Sequence, residues 1–218
     1  MINFGQLEAR VRVLFESTST TRWATEDFLR AANEGLDELS EETGFYERFL
    51  TIHLRGGQTY YDVRGYLPEN LVRISFVFNN QHQVWCTPLG VEDITTPRWE
   101  TVPGDPVRYL VRGVYWLGIY PRPSGDVGSI RVYYDGVAPH FRDSASVLVS
   151  DFPDDYLDAL ESYILYDLTG RDGETDKSLG HWADFYKRQE QLAAFVERRT
   201  VRARRARFSS APSGYPSL

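Results

Sequence analysis

Apolar residues recur at spacings of three and four at the start of the chain: Phe4, Leu7, Val11, Leu14 and Phe15. That period places them along one face of an amphipathic helix. The polar run Ser17-Thr18-Ser19-Thr20-Thr21 interrupts it. A second helix is predicted through WATEDFLRAANEGLDELSEETG, with Phe28, Ala32, Leu36 and Leu39 as its buried stripe. Thr25 is suited to cap it by accepting a bond from an orphan backbone N–H. Glu26 and Asp27 follow where the helix dipole favours negative charge. Gly44 is placed to take the left-handed conformation that ends a helix.

From about residue 48 to 137 the period shortens to two. FLTIHL alternates, Gly56-Gly57 turns, and TYYDV returns, which predicts a hairpin. LVRISFVF and HQVWCTPL flank an Asn79-Asn80 turn, and VRYLVRG and VYWLGIYP flank Gly113. SIRVYYDG follows PSGDVGS, which reads as another hairpin loop because it contains glycines but no phosphate-binding lysine. Short, aromatic, β-branched segments separated by turns predict an antiparallel sandwich or small barrel.

The helical period then returns. Ser150 or Asp151 is a candidate cap, Pro153 suits a first turn, and Leu157, Leu160, Ile164 and Leu168 form a stripe that stops at Gly170. After the turn RDGET, a long helix is predicted with Leu179, Trp182, Tyr186, Gln189, Ala193 and Val196 inward. The predicted class is α+β: helices of residues 1–47 and 150–197 forming one bundle, an inserted β domain at 48–140, and an extended basic tail at 198–218. The two helical zones are expected to pack together because each amphipathic stripe needs a partner.

Charge sharpens this picture. Six of the 24 Lys and Arg residues and none of the 31 Asp and Glu residues lie in 198–218, so that segment carries +6 and the preceding 197 residues carry −13. An acidic body is a poor surface for gripping phosphate backbones. The single cysteine, Cys86, excludes an internal disulfide and a thiolate zinc cluster. His53, His82, His140 and His181 show no metal-ligand spacing. Asp154 and Asp155 are accounted for by a helix start, so no catalytic, metal or cofactor residue is assigned. The N-terminus has no secretory apolar run, and no stretch of eighteen apolar residues predicts a membrane span. The aromatic β zone, with Trp85, Trp99 and Trp116, admits a carbohydrate-binding reading. Trp116, between Tyr115 and Leu117, reads as core or subunit interface. The basic tail admits a nucleic-acid-binding one.

The tail cannot order itself alone. Fixing 21 residues costs on the order of 20–40 kcal/mol of backbone entropy. Burying Val201, Phe208, Tyr215 and Leu218 returns about 6–12 kcal/mol. Its first part, to about Arg207, is able to extend the preceding helix, since Arg and Ala are good helix formers. The remainder needs a receiving surface.

Several short motifs occur in a fixed order. They are Trp23, Thr25, Asp27, Phe28, Asn33, Leu39, Thr43 and Gly44; Tyr66-Leu67-Pro68; Tyr120-Pro121-Arg122-Pro123; Val132-Tyr133-Tyr134; and Asp151-Phe152-Pro153 with Tyr156. Over roughly residues 20–190 the chain resembles the head-to-tail adaptor, or connector, proteins of tailed bacteriophages. The resemblance implies a structural protein without catalytic activity, made in the host cytoplasm and placed in the virion neck. It implies a ring of copies, dodecameric in the family, between the portal protein and tail or nozzle proteins, through which DNA passes without specific binding. It also implies a C-terminal arm docked on the portal, here Arg198, Arg199, Arg202, Arg204, Arg205, Arg207, Phe208 and Tyr215. An acidic channel wall would keep DNA mobile by like-charge repulsion, and the candidate acids are Glu34, Asp37, Glu38, Glu41 and Glu42.

Overall fold

The computed structural model describes residues 2–15, 23–64, 71–80, 84–89, 98–113, 115–126 and 128–209, the last ten of these as backbone alone. The chain divides into two compact units. The first is Met1–Tyr46 with Val137–Arg202, and the second is Glu47–Gly136 with Ala203–Leu218, so the end of the last helix is counted with the second.

The first unit holds four helices among the described residues: α1 (Phe4–Leu14), α2 (Thr25–Thr43), α3 (Leu157–Arg171) and α4 (Thr175–Ser209). Helix α1 starts with a reciprocal cap, in which the Gln6 amide N–H donates to Asn3 Oδ1 and the Asn3 amide N–H donates to Gln6 Oε1. Phe4, Leu7 and Val11 are buried and Phe15 packs against the same core, whereas Leu14 is 53% exposed. Helix α2 is capped differently from the expectation. Ala24 is the cap residue, and Asp27 accepts its backbone N–H at 3.1 Å. The Thr25 hydroxyl instead donates to Glu8 of α1, which Arg12 also engages. A tertiary bond has recruited the predicted cap. Phe28, Ala32, Leu36 and Leu39 are buried as the period requires, and Gly44 ends the helix at φ 62°.

Gly35 brings α2 and α3 together. A Cβ there would lie 2.9 Å from the Tyr163 ring and 3.0 Å from Leu160. The returning segment is pinned by Asn33, whose side-chain amide donates to the Phe141 carbonyl and accepts from the Phe141 N–H. Neither Ser150 nor Asp151 caps α3. A 3-10 turn at Asp154–Tyr156 precedes the helix, with Pro153 immediately before it. Leu157, Leu160, Ile164 and Leu168 are buried as predicted, but the chain turns at Gly173 (φ 77°), after Gly170. On α4 Ser178, Phe185, Gln189 and Leu192 are buried and Trp182 and Val196 pack against the core, so Trp182, Gln189 and Val196 of the predicted stripe lie inward, whereas Leu179 is 59% and Tyr186 51% exposed. The buried face is therefore turned toward Phe185 and Leu192. Phe185, with Trp182, Tyr163 and Tyr166, forms an aromatic cluster with centroids 4.8–5.8 Å apart, and burying those rings decides the rotation.

The second unit holds β1 (Glu47–His53), β2 (Tyr60–Asp62), β3 (Leu71–Asn79), β4 (Val84–Pro88), β5 (Pro103–Gly104), β6 (Arg108–Arg112), β7 (Trp116–Tyr120), β8 (Arg122–Pro123) and β9 (Ser129–Gly136). Seven of them order as β1-β9-β3-β4-β6-β7-β2, and β5 pairs with β8. The hairpins β3–β4 and β6–β7 form as the turns predict, the second about Gly113 at φ 62°. The predicted β1–β2 hairpin does not. β1 pairs along its whole length with β9, and β2 pairs with β7, at opposite ends of the strand order. A three-residue β2 offers β1 too short a ladder, and β9 matches Leu50 and Ile52 with Val132 and Ile130. PSGDVGS likewise joins β8 to β9 across different sheets and closes no hairpin. Pairing is antiparallel except for β4–β6 and β5–β8, which run parallel. Ile52, Tyr61, Val77, Leu117, Ile119 and Ile130 share one core.

Candidate assembly surfaces

Three surfaces follow from this framework, and the first is the acidic edge of α2. Glu34 accepts two bonds from Arg30 at 2.7 Å, and Arg30 also reaches Asp167 of α3 at 2.5 Å. Asp37 sits 2.6 Å from His140 Nε2. These two acids are held within the first unit as links between α2 and its neighbours. Glu38 is half-buried, and Glu41 and Glu42 are exposed. Among the described residues these three have no cationic partner, and the last turn of α2 contains no base. The five candidate acids thus separate into two that engage Arg30 and His140 and three with no cationic partner among the described residues.

The second surface is the end of α4. Helix α4 has 35 residues, about 52 Å at 1.5 Å per residue. Its last described side chains against the core are Phe195 and Val196. Arg198 and Arg199 are exposed. Arg198 Nε donates to the Ala194 carbonyl at 3.1 Å, and the Arg199 guanidinium lies 5.3 Å from the centre of the Phe195 ring. Arg202, Arg204, Arg205, Arg207 and Phe208 lie on α4, as expected of a segment whose first part extends the preceding helix to about Arg207. Tyr215 lies outside the described residues.

The third surface went unrecognised as a group in the sequence. Register places Arg112 of β6 opposite Trp116 of β7, and Trp116 opposite Asp62 of β2. One step along, Leu110 faces Gly118, which faces Tyr60. Directly opposed residues share a sheet face. The alternate residues Tyr61, Leu117 and Ile119 are buried, so this is the outer face. Trp116 is 43% exposed on it, which removes the core reading of that residue. Arg112 lies 5.8 Å from the Tyr60 ring centre, and Arg64, paired with Asp62 at 2.5 Å, lies 5.7 Å from that of Tyr115. The pairing of β2 with β7 creates the patch, and no local motif announces that pairing.

Two buried titratable groups show no sign of chemistry. Cys86 is buried, its thiol pushed up to about 12 by desolvation. Burial raises the Glu161 carboxyl despite Arg10 at 2.6 Å, because Arg10 stands largely in solvent and its field is screened. Among the described residues no group of His, Cys, Asp and Glu is arranged to hold a metal, and no helix is long and apolar enough to cross a membrane.

No curated protein matches the chain. A family model described as SU10 adaptor protein matches residues 2–212. On a match of that extent, this protein belongs to the SU10 adaptor protein family, a family of phage head–tail adaptors.

Proposed function

We propose that this protein is a structural component of the virion neck, assembled as a ring that joins the portal to the tail and extends the DNA channel. The arginine-bearing end of α4 docks on the portal. The observation that carries this reading is the reach of α4. The last of its described side chains against the core are Phe195 and Val196, and the helix continues to Ser209 through all six arginines of the C-terminal segment. Helices draw most of their stability from tertiary packing, so a helix end this rich in one charge is suited to a partner. An acidic partner surface supplies both the counter-charge and the offset to ordering entropy. Glu38, Glu41 and Glu42 are the acids we assign to the channel wall, where they would repel DNA and keep it moving. Glu34 and Asp37 serve the fold.

The test is co-assembly of purified protein with portal rings, scored by electron microscopy for the full chain and for a chain ending at Glu197. Loss of the added ring in the shortened chain is expected. Unchanged assembly would remove the docking role of the C-terminal segment.

A further inference from the structure

We propose that the outer face of β2, β7 and β6 is one half of the contact between copies, and that it receives the acidic body of the next copy in a head-to-tail arrangement. This inference rests on the ring reading above and adds to it the contact surface and its polarity.

Three features of the patch argue for it. Its composition is that of an interface centre: Trp116, Tyr60, Leu110 and Arg112 lie together, and Trp, Tyr and Arg are the residue types that dominate binding energy when buried. It is preorganised by the sheet. Gly118 leaves room for Leu110 and Tyr60 to close over it, since a Cβ there would lie 2.8 Å from Leu110 Cγ and 3.0 Å from Tyr60 Cε1. Leu110 and Tyr60, whose hydroxyl donates to Glu100, therefore start from defined positions, which lowers the ordering cost of association.

Charge selects the occupant. Arg112 makes no ion pair among the described residues and stands beside Tyr60. The acids on this face are engaged within the copy, Asp62 with Arg64 and Glu100 with the Tyr60 hydroxyl, and residues 107–116 contain Arg108 and Arg112 and no acid. The 197 residues that precede the basic segment carry −13, so the broad surface of a second copy is the complement. A two-fold contact would set Arg112 of one copy near Arg112 of the other, and like charges in contact oppose binding. The favoured contact is therefore heterologous, with the patch of one copy on a different surface of the next. Heterologous contacts that close generate rings.

The experiment uses the full chain with Tyr115→Cys carrying a benzophenone label. Cys86 is buried and does not compete for the reagent. Labelled protein is assembled on portal rings, irradiated, and its adducts are identified by mass spectrometry. Adducts between two copies, mapping outside residues 107–116 of the acceptor, are expected. Adducts with the portal alone, adducts joining 107–116 to itself, or no adducts in assembled rings would each overturn the proposal. In parallel, Trp116→Ala and Arg112→Glu are expected to lower ring yield at least tenfold while leaving the thermal unfolding of the free chain near wild type. Rings formed by both variants at wild-type yield would sink this inference and leave the ring reading standing. A wild-type chain that forms no ring on any portal would sink both.

Discussion

Gly35 illustrates how a single missing methyl sets an interhelical distance. Its helical position favours any residue with better propensity, and alanine would gain about 1 kcal/mol there. Against that, a Cβ would press on the Tyr163 ring at 2.9 Å, and that ring is held by Phe185 and Tyr166. Overpacking of this kind costs about 1–3 kcal/mol. Gly35→Ala is expected to be nearly neutral in urea denaturation, and Gly35→Val clearly destabilising. Glu161 makes a second case. Burial raises its carboxyl above the unfolded value, so the native state binds its proton more tightly. Its favourable contribution is complete at pH below the unfolded carboxylate value, about 4.3, and is lost as pH rises through the raised native value. Relative to wild type, Glu161→Gln should therefore gain stability as pH is raised across that window, read from urea midpoints. A constant difference across the window would mean that burial is not what shifts this group.

Among the elements, the β6–β7 hairpin and α4 separate local from long-range causes. Gly113 at φ 62° has no atom within 4 Å of an added Cβ. Gly113→Ala therefore tests backbone conformation alone, at about 1–2 kcal/mol, and thermal unfolding would show it. Helix α4 poses the opposite test. Ending the chain at Glu197 removes no described core side chain, so the stability of the free protein is expected to stay within about 0.5 kcal/mol. A large loss would mean that residues after Glu197 pack on their own molecule. The helical stripes of α1, α2 and α3 were legible because burial on them follows from a period of 3.6 and from an adjacent partner. The stripe of α4 was legible in part: Trp182, Gln189 and Val196 face the core, but Leu179 and Tyr186 satisfy the same period as Phe185 and Leu192 one residue away. The aromatic cluster with Tyr163 and Tyr166 favours Phe185 over its neighbour. The β1–β2 hairpin failed for a related reason: a good turn at Gly56-Gly57 does not decide which strands pair when a longer ladder is offered elsewhere.

In the molecule as a whole, the separation of −13 from +6 is the property that matters for assembly. If arginine contacts hold the C-terminal segment on the portal, binding should weaken steeply as salt rises, because exposed charges are screened within about 10 Å at 0.1 M. Ring retention on the portal across a salt series measures this, and retention independent of salt would assign the docking to apolar contacts. Of the candidate surfaces, the arginine segment was legible at once, since a run of one sign with no acids needs no folding to be recognised. The acidic edge was legible as a group but not in its division. The Arg30–Glu34 pair follows the i, i+4 spacing of α2, whereas His140 reaches Asp37 and Arg30 reaches Asp167 across segments far apart in sequence.

Amphipathic period, turn residues and charge segregation are local properties, each written into a few neighbouring side chains. For that reason the helices, the strands, the mixed α+β class and the charged C-terminal segment could be read directly from the chain. Which strands lie side by side, which way α4 faces, and which acids are already occupied depend on contacts between residues far apart in sequence. Those contacts compete for the same apolar area and the same cations, and the competition is resolved only when the whole chain packs. The patch of Tyr60, Arg112 and Trp116 belongs to that second group, because three segments must meet before it exists.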